Sequence, residues 1–249
     1  MNACAATTLD GVLNRCVLLE QPATGYRVAI DTVLLAASVP ALPGDRILDL
    51  GCGVGGAMIC LAYRVPAIGG LGVDIQPFLV ELCHHNIGRN VCAKGLDVRR
   101  DDVTSLPADL RGHFDHVLMN PPYHARDRHD VSPDDSKRQA FTDEGALESW
   151  IMSAGQALKP SGTVTIVHRA DRRGEVEGCL GKAFGEIEVL PLLPREGQAP
   201  KRLILRARKD ALFSIKESNG LVLHKKSGAY TPEAEAVLRH AQPMVFQSP

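Results

Sequence analysis

Strand-like and helix-like patterns alternate along the chain from residue 46 to about residue 183. Short runs suited to buried strands are bounded by turns, and the segments between them place apolar residues at helical spacing. The predicted strands lie at 46–50, 70–74, 97–100, 116–119 and 163–168. The predicted helices lie at 55–64, 77–90, 146–158 and 172–183. This alternation is typical of an α/β fold in which crossover helices cover both faces of a mostly parallel sheet.

The alternation breaks after residue 183. Segments 186–193 and 201–208 are both strand-like, yet no helical segment separates them. A parallel connection needs a crossover, usually a helix, whereas an antiparallel pair needs only a turn. The sequence therefore predicts an antiparallel pair at the edge of the sheet.

Two extensions flank the predicted core. We expect one domain over 1–249, with an N-terminal extension at 9–42, a cofactor-binding and catalytic core at 43–210 and a C-terminal extension at 211–249. No internal repeat and no second apolar core is visible, which favours a single domain.

Each extension has its own predicted elements. The N-terminal one contains a hairpin at 12–27 and then a helix opened by Asp31. The C-terminal one contains a strand at 221–224 and a helix that begins at Thr231-Pro232. Threonine is a good N-cap, and proline is favoured in the first helical turn because its missing N–H would have no partner there.

The composition gives no global indication of a partner. The chain has 249 residues, of which 45% are hydrophobic and 23% charged, and its net charge is -1. A nucleic acid would therefore have to bind a local basic patch. The segment from residue 195 to residue 226 contains nine Lys or Arg residues and three acidic residues. This segment predicts either a solvated edge of the sheet or an RNA-facing surface.

The cysteines predict free thiols. There are seven (4, 16, 52, 60, 83, 92 and 179), an odd number without any C-x-x-C pair. The first residues lack the basic flank and apolar core of a signal peptide, so a reducing, cytoplasmic location is expected. No apolar stretch approaches the ~20 residues that span a bilayer, so no membrane association is expected.

The group Cys83, His84, His85 and Cys92 raises the question of a metal. Adjacent histidines on a helix point about 100° apart, since a turn takes 3.6 residues. No pair in the group has the spacing of a zinc finger. The sequence therefore predicts an ordinary helix surface and no metal site.

A polar and proline-rich turn follows the apolar run at 116–119. It consists of Asn120, Pro121, Pro122 and Tyr123. Prolines lack an N–H and fix φ, so the chain must leave the sheet here as a stiff loop. Open α/β sheets bind ligands at such carboxyl ends of strands. The loop offers an amide, backbone carbonyls and an aromatic ring, which together suit a flat nitrogen base.

A glycine-rich turn follows the first core strand. Asp49 ends that strand, and Gly51, Gly53 and Gly55 open the next helix. The glycines allow a tight turn and close approach of a ligand to the backbone. Their G-x-G-x-G spacing differs from the G-x-G-x-x-G of dinucleotide binders, and no Lys-Ser/Thr follows as in a nucleoside-triphosphate loop.

Two further carboxylates follow the next two strands. Asp74 ends the second strand, where an acid can hold both hydroxyls of a ribose. Asp102 follows the third strand, where the edge of an adenine would lie. Each Asp alone could equally be a helix cap. The ordered set of glycine turn, two acids and Asn-Pro-Pro-Tyr favours an adenosine-bearing cofactor.

These motifs resemble those of class I S-adenosylmethionine-dependent methyltransferases. Asn-Pro-Pro-Tyr at 120–123 resembles the motif of members that methylate planar amide or exocyclic amino nitrogens. Three other segments resemble the valine-tRNA adenine-N6 methyltransferases. They are 25–35 (GYRVAIDTVLL), 200–205 (PKRLIL) and the tail from 221–223 (LVL) to 230–234 (YTPEA).

The resemblance implies a Rossmann-like sheet of seven strands whose last strand is antiparallel. It implies S-adenosylmethionine as the cofactor and an RNA substrate, most simply an anticodon-loop adenine of tRNA. The implied cofactor contacts are Arg27, Asp31, Asp49, Gly51, Gly53, Gly55, Asp74, Asp102 and Asn120. Arg27 and Asp31 would border the pocket, Asp49 and the glycines would enclose the methionine part, Asp74 would bind the ribose and Asp102 the adenine.

The implied catalytic residues are Asn120, Pro121 and Tyr123. The Asn120 side chain and the Pro121 carbonyl would accept hydrogen bonds from the amino group, and Tyr123 would stack on the base. Two alternatives stay open at the level of sequence. One is a methyltransferase that modifies the side-chain amide of protein glutamine, and the other is a catalytically silent RNA-binding module of the same fold.

Overall fold

One sheet of nine strands organises the part of the chain that the computed structural model describes, which is residues 6–24, 27–122 and 143–247. A separate N-terminal hairpin is formed by β1 (Thr7–Val12) and β2 (Val17–Pro22). The sheet contains β3 (Arg46–Leu50), β4 (Gly69–Asp74), β5 (Leu96–Arg100), β6 (Phe114–Met119), β7 (Leu158–Arg169), β8 (Phe184–Arg195), β9 (Arg202–Lys209), β10 (Ile215–Glu217) and β11 (Leu221–His224). The helices are α1 (Ile30–Ser38), α2 (Gly56–Arg64), α3 (Pro77–Arg89), α4 (Asp143–Ala157), α5 (Arg173–Leu180) and α6 (Pro232–His240).

Helices cover both faces of this sheet, as the sequence predicts. The strand order is β10-β8-β9-β7-β6-β3-β4-β5, with β11 also paired to β8. Successive residues of one strand pack into different clusters: Ile47 packs with α1, α2 and α6, whereas Leu48 packs with α4 and α5. Because strand side chains alternate between faces, a fully apolar strand needs a helical layer on each side. The α/β fold class is confirmed.

The break in the alternation is an antiparallel pair. β9 is antiparallel to both β7 and β8, whereas β3 to β7 pair in parallel. Seven strands, β3 to β9, form the expected core, and the last of them is the antiparallel one. The pair does not form the outer edge, however, because β10 and β11 both add to β8 in parallel. The exposed residues of β10 carry no apolar alternation that could have announced that strand.

The N-terminal hairpin begins earlier than predicted. The pairs run from Thr7 with Pro22 to Val12 with Val17, so the expected span 12–27 is displaced towards the C-terminus. β1 is largely exposed and therefore lacks the alternation by which strands are detected. Helix α1 begins at Ile30 after the N-cap Ala29, with Asp31 in its first turn instead of at the cap.

Two asparagine side chains of α3 attach this hairpin to the core. Asn86 accepts from Glu20 N at 2.7 Å and donates to Glu20 O at 3.0 Å, and Asn90 does the same with Leu18 at 3.0 and 2.8 Å. Residues four apart on a helix rise by about 6 Å, close to the roughly 6.7 Å between alternate residues of a strand. The helix thereby offers β2 the hydrogen bonds that a neighbouring strand would give.

The C-terminal elements follow the sequence prediction. Strand β11 lies where it was expected, and the Thr231 hydroxyl accepts from Ala234 N at 3.2 Å as the N-cap of α6. Helix α4 ends directly at β7, because Lys159 and Ser161, expected in a stop signal, already belong to that strand.

Candidate active site

The three central motifs meet because the strand order reverses at β3. β4 and β5 lie on one side of β3, and β6 returns to its other side. Leu50 at the end of β3 pairs with Val73 of β4 and with Met119 of β6. The next residue of each strand is Gly51, Asp74 or Asn120, so the three lie side by side at strand spacings of about 4.8 Å. Open α/β sheets bind their ligands at this reversal point.

The glycine turn is open to a ligand at one position. Gly51, Gly53 and Gly55 all have positive φ (68°, 55° and 84°), where a side chain would be strained. A Cβ at Gly51 or Gly55 would also collide with a neighbouring side chain, at 2.4 and 2.7 Å. A Cβ at Gly53 would meet no atom within 4 Å. The backbone at Gly53 is therefore the accessible part of the turn.

Asp74 holds this turn in place. Its carboxylate is buried and accepts from Gly53 N and from Gln76 N, each at 2.9 Å. Burial raises its pKa, and these backbone hydrogen bonds oppose the rise. Each carboxylate oxygen has a second lone pair. Asp74 can therefore support the turn and still accept a hydrogen bond from a ligand hydroxyl.

Asp49 is buried beneath the turn. Its Oδ2 lacks a hydrogen-bond partner within the described part of the protein. Burial raises its pKa to about 8, a rise opposed by the Met58 N–H at the start of α2 and reinforced by the negative charge of Asp74. A buried acceptor without a partner is costly and often marks a ligand position.

These features fit S-adenosylmethionine. The orphan oxygen of Asp49 can accept from the amino group of its methionine part, and a positive charge bound beside the carboxyls of Asp49 and Asp74 would favour their ionised forms. The open backbone at Gly53 permits close approach. When bound, this cofactor supplies an activated methyl group on a sulfonium. The contacts assigned to individual residues remain predictions.

The substrate-facing turn begins beside the glycine turn. Asn120 is half-buried directly after β6, Pro121 is buried and Pro122 is exposed. The proline-driven exit from the sheet is thus where the sequence predicts it, next to Gly51 across the β3–β6 pair. Tyr123 lies outside the described residues, and its stacking role remains a prediction.

Arg27 and Asp31, two further predicted cofactor residues, contact other protein groups. Arg27 forms an ion pair with Asp10 of the hairpin and donates to Pro22 O at 3.0 Å. Asp31 accepts from Arg202 Nε at 3.0 Å. The pair of Arg27 with Asp10 links two parts of the N-terminal extension, and the pair of Asp31 with Arg202 links helix α1 to β9. The role of both residues at the border of the cofactor pocket stays a prediction.

Asp102 is exposed after β5, and its Oδ1 accepts from the Thr104 N–H and hydroxyl at 2.8 and 2.7 Å. It therefore caps the short turn at 103–105, which is the alternative that its position in the sequence left open. Its predicted contact with adenine stays a prediction.

Trp150 also lies against the glycine turn, which no pattern in the sequence indicates. This residue, the single tryptophan of the chain, lies on α4 and presents its ring edge to Gly51, where a Cβ would sit 2.4 Å from it. It follows the buried Leu147 by three positions, which is a helical spacing and marks it in the sequence as an ordinary core residue. Only the packing of α4 against the end of β3 brings it to the site.

The thiols are free, as predicted, in all six described cysteines. Cys52 of the glycine turn is hydrogen-bonded to Cys83, and this bond and burial raise the pKa of Cys52 well above its usual range. Cys83 is buried, whereas His84 and His85 are exposed. The described residues contain no group of three or more His, Cys, Asp or Glu side chains that could hold a metal ion.

Residues 25–192 match the family described as Methyltransferase small domain. The match covers more than half of the chain, which therefore belongs to this family and is an S-adenosylmethionine-dependent methyltransferase. The resemblance found in the sequence is thus confirmed.

Curated relatives carry a more specific name. The tRNA1(Val) (adenine(37)-N6)-methyltransferase of Porphyromonas gingivalis strain ATCC 33277 is 28% identical over 234 residues, covering 86% of this chain and 88% of its own. The protein of the same name from Yersinia pestis strain Pestoides F is 25% identical over 212 residues, covering 83% of each.

Solved structures share the fold. A predicted O-methyltransferase, Atu636 from Agrobacterium tumefaciens, superposes with a TM-score of 0.73 at 24% identity, over 86% of this chain and 98% of that one. TrmN from Thermus thermophilus superposes with a TM-score of 0.52 at 18% identity, over 72% of this chain and 48% of that one.

In the described part of this chain, no helix has the length and apolarity that crossing a membrane requires.

Proposed function

We propose that this protein methylates the exocyclic amino nitrogen of an unpaired adenine in tRNA. The observation that carries the proposal is the position of Asn120 beside Gly51, one strand apart at the reversal point of the sheet. An amide that can hold an amino group thereby adjoins the turn proposed to hold the methyl donor. The names of the curated relatives support tRNA as the substrate and N6 as the atom.

Positioning explains how these residues would act. The amino nitrogen of adenine is a poor nucleophile because its lone pair is delocalised into the ring. The Asn120 side-chain oxygen and the Pro121 carbonyl would accept its two hydrogens and favour a pyramidal nitrogen with a localised lone pair. Because the methyl group is already activated by the sulfonium, orientation and electrostatics supply most of the rate. The proton becomes acidic once the N–C bond forms, so no strong base is needed.

The substrate must present its base outside a helix. The turn at Asn120 lies at the end of a buried strand, so a base stacked within a duplex could not reach it. A loop adenine satisfies this requirement, and Tyr123 would stack on it with roughly 1–3 kcal/mol. A cytoplasmic location agrees with this function, because tRNA is present there and thiols stay reduced there.

The proposal is tested by mass spectrometry of nucleosides. Total tRNA is incubated with the protein and a methyl-labelled cofactor, then digested. We expect labelled N6-methyladenosine, with the rate of labelling about 10²–10³-fold lower when Asn120→Ala replaces the parent. Label on protein glutamine and none on RNA would instead support the amide methyltransferase. Absence of any methyl transfer, with RNA still bound, would support the silent module.

A further inference from the structure

The basic segment 195–226 divides between the two edges of the sheet. Because β9 is antiparallel to β7, Arg202 pairs with Arg169 at the carboxyl edge and Arg208 pairs with Thr163 towards the opposite edge. Arg195 ends β8 at the carboxyl edge. Segments that are continuous in sequence thus contribute to different surfaces, and only one of them shares the edge of the candidate site.

The cations towards the opposite edge are largely engaged. Arg206 pairs with Glu188 and Arg208 with Glu186, at 2.7 and 2.8 Å. The Lys209 ammonium donates to one backbone carbonyl near the end of α4, that of Gly155, and to one at the start of β7, that of Leu158. In this half of the segment the positive charges are therefore balanced by neighbouring acids and carbonyls. This agrees with the first of the two interpretations of the sequence, a solvated edge of the sheet.

The carboxyl edge carries four cations of another kind, which we call the basic rim: Arg195, Lys201, Lys225 and Lys226. All four are exposed, and none makes an ion pair with another residue in the described ranges. His224 pairs in register with Arg195, which brings the two flanking turns together. Glu196 is the acid within these turns.

The rim is built on well-defined turns. Gly197 (φ 73°) lies in the β8–β9 connection, where Gln198 N donates to Arg195 O at 3.1 Å. In the turn after β11, Lys225 N donates to Ala229 O at 2.8 Å. Fixed turns lose little backbone entropy when they bind. The aromatic rings here, His224 and Tyr230, stack on each other at 4.9 Å.

The position of the rim indicates which part of an RNA it meets. With strands about 4.8 Å apart and a rise of about 3.3 Å per residue, Lys201 lies roughly 15 Å from Asn120 and Lys225 roughly 25 Å. These separations exceed the reach of the target nucleotide. Single-strand binding also relies on exposed aromatic platforms, whereas the rim offers cations and an already stacked pair. Closely spaced phosphates of a base-paired stem match such a surface.

We propose that the basic rim binds the phosphate backbone of a double-helical RNA stem adjoining the loop that carries the methylated base. This deepens the proposed function and rests on it. The stem supplies affinity and register through contacts that are independent of its sequence, while the turn at Asn120 acts on the loop base.

The test compares two substrates and two variants. One substrate is a stem-loop with the target adenine, and the other is the loop strand alone. The rim variant combines Arg195→Glu, Lys201→Glu, Lys225→Glu and Lys226→Glu. The control combines Lys94→Glu and Lys216→Glu, which are exposed and lie outside the rim. KM, kcat, cofactor Kd and the salt dependence of stem-loop binding are measured for each protein.

For the rim variant we expect KM for the stem-loop to rise at least about tenfold in 0.1 M salt, with a shallower salt dependence, since each lost phosphate contact lowers that slope by about one. We expect kcat, cofactor Kd and KM for the strand to stay within about twofold of the parent, and the control to behave as the parent does.

Equal losses on the stem-loop and the strand would overturn the proposal, as would an unchanged salt slope or an equal effect of the control. Failure of the proposed function would look different. In that case the parent would bind the stem-loop with the rim-dependent salt slope and transfer no methyl group to it.

Discussion

The two halves of the carboxyl edge have opposite electrostatic character. The half formed by β3 to β5 presents the buried acids Asp49 and Asp74 around an open glycine backbone. The half formed by β8, β9 and β11 presents exposed cations on well-defined turns, and these cations form no ion pair within the part of the chain that the structure describes. A pocket lined by acids suits a positively charged cofactor, and a rim of cations suits a polyanion. Asn120 lies between them, where both ligands can meet.

The largest expected effect separates chemistry from cofactor binding. Asn120→Ala should lower kcat about 10²–10³-fold, because the amino group loses an acceptor needed most in the transition state. Cofactor Kd, measured by calorimetry, should stay within about twofold, since the pocket that we propose for the cofactor lies on β3 to β5. Asn120→Asp keeps an acceptor of the same shape and should retain partial activity. Parental activity in Asn120→Ala would remove this residue from the reaction.

A second prediction concerns the buried acids in the half formed by β3 to β5. Asp74→Ala should weaken cofactor binding about ten- to hundredfold, because a charged hydrogen bond contributes roughly 1.5–3 kcal/mol and the glycine turn loses its anchor. Calorimetry measures this directly. Asp102→Ala is the companion variant, and we expect a smaller loss because Asp102 is exposed and already bonded to Thr104. Equal losses would place the adenine beside Asp102.

A third prediction concerns pH and Asp49. The folded-state pKa of about 8 exceeds the ordinary value near 4, so between these pH values the folded protein holds the proton more tightly than the unfolded chain. The contribution of Asp49 to stability therefore falls as pH rises through this window and levels off above pH 8. Asp49→Asn cannot ionise and should lose this slope. Relative to the parent, it should gain on the order of a few kcal/mol between pH 5 and pH 8.

Urea unfolding of both proteins at pH 5, 6.5 and 8 measures this gain. A difference between them that does not change with pH would show that Asp49 titrates normally in the folded protein.

The smallest expected effect concerns Trp150, whose ring packs against the glycine turn at Gly51. Trp150→Ala should weaken cofactor binding several-fold by loosening the turn at Gly51, and Trp150→Phe should restore most of it. Met152→Ala, on an exposed side chain of the same helix, is the control. The fluorescence of Trp150 should change on addition of cofactor. A parental Kd for Trp150→Ala would limit this ring to core packing.

The meeting of the glycine turn with Asp74 at one edge of the sheet was predictable because its determinants are local. Asp49 and the three glycines follow one another within seven residues, and Asp74 closes the next βα unit. The position of Trp150 beside Gly51 was not predictable from the sequence. An apolar residue at helical spacing is normally part of the core, and only tertiary packing brings this one to the glycine turn.

The substrate half depends on strand order. Arg195 and Lys225 are thirty residues apart in sequence and meet only because β11 pairs with β8 in parallel. No local pattern separates them from Arg206 or Arg208, whose side chains face acids on a neighbouring strand. A basic segment can be detected from composition, but the surface to which each residue belongs is decided by the topology.

The asparagine pair of α3 has a consequence for the order of assembly. Strand β2 satisfies Leu18 and Glu20 through Asn90 and Asn86, contacts that span 72 and 66 residues. During synthesis the hairpin emerges before α3, and these hydrogen bonds cannot form until residue 90 has left the ribosome. The hairpin is thus made well before it can dock against α3, and until then an open strand edge is exposed to neighbouring chains.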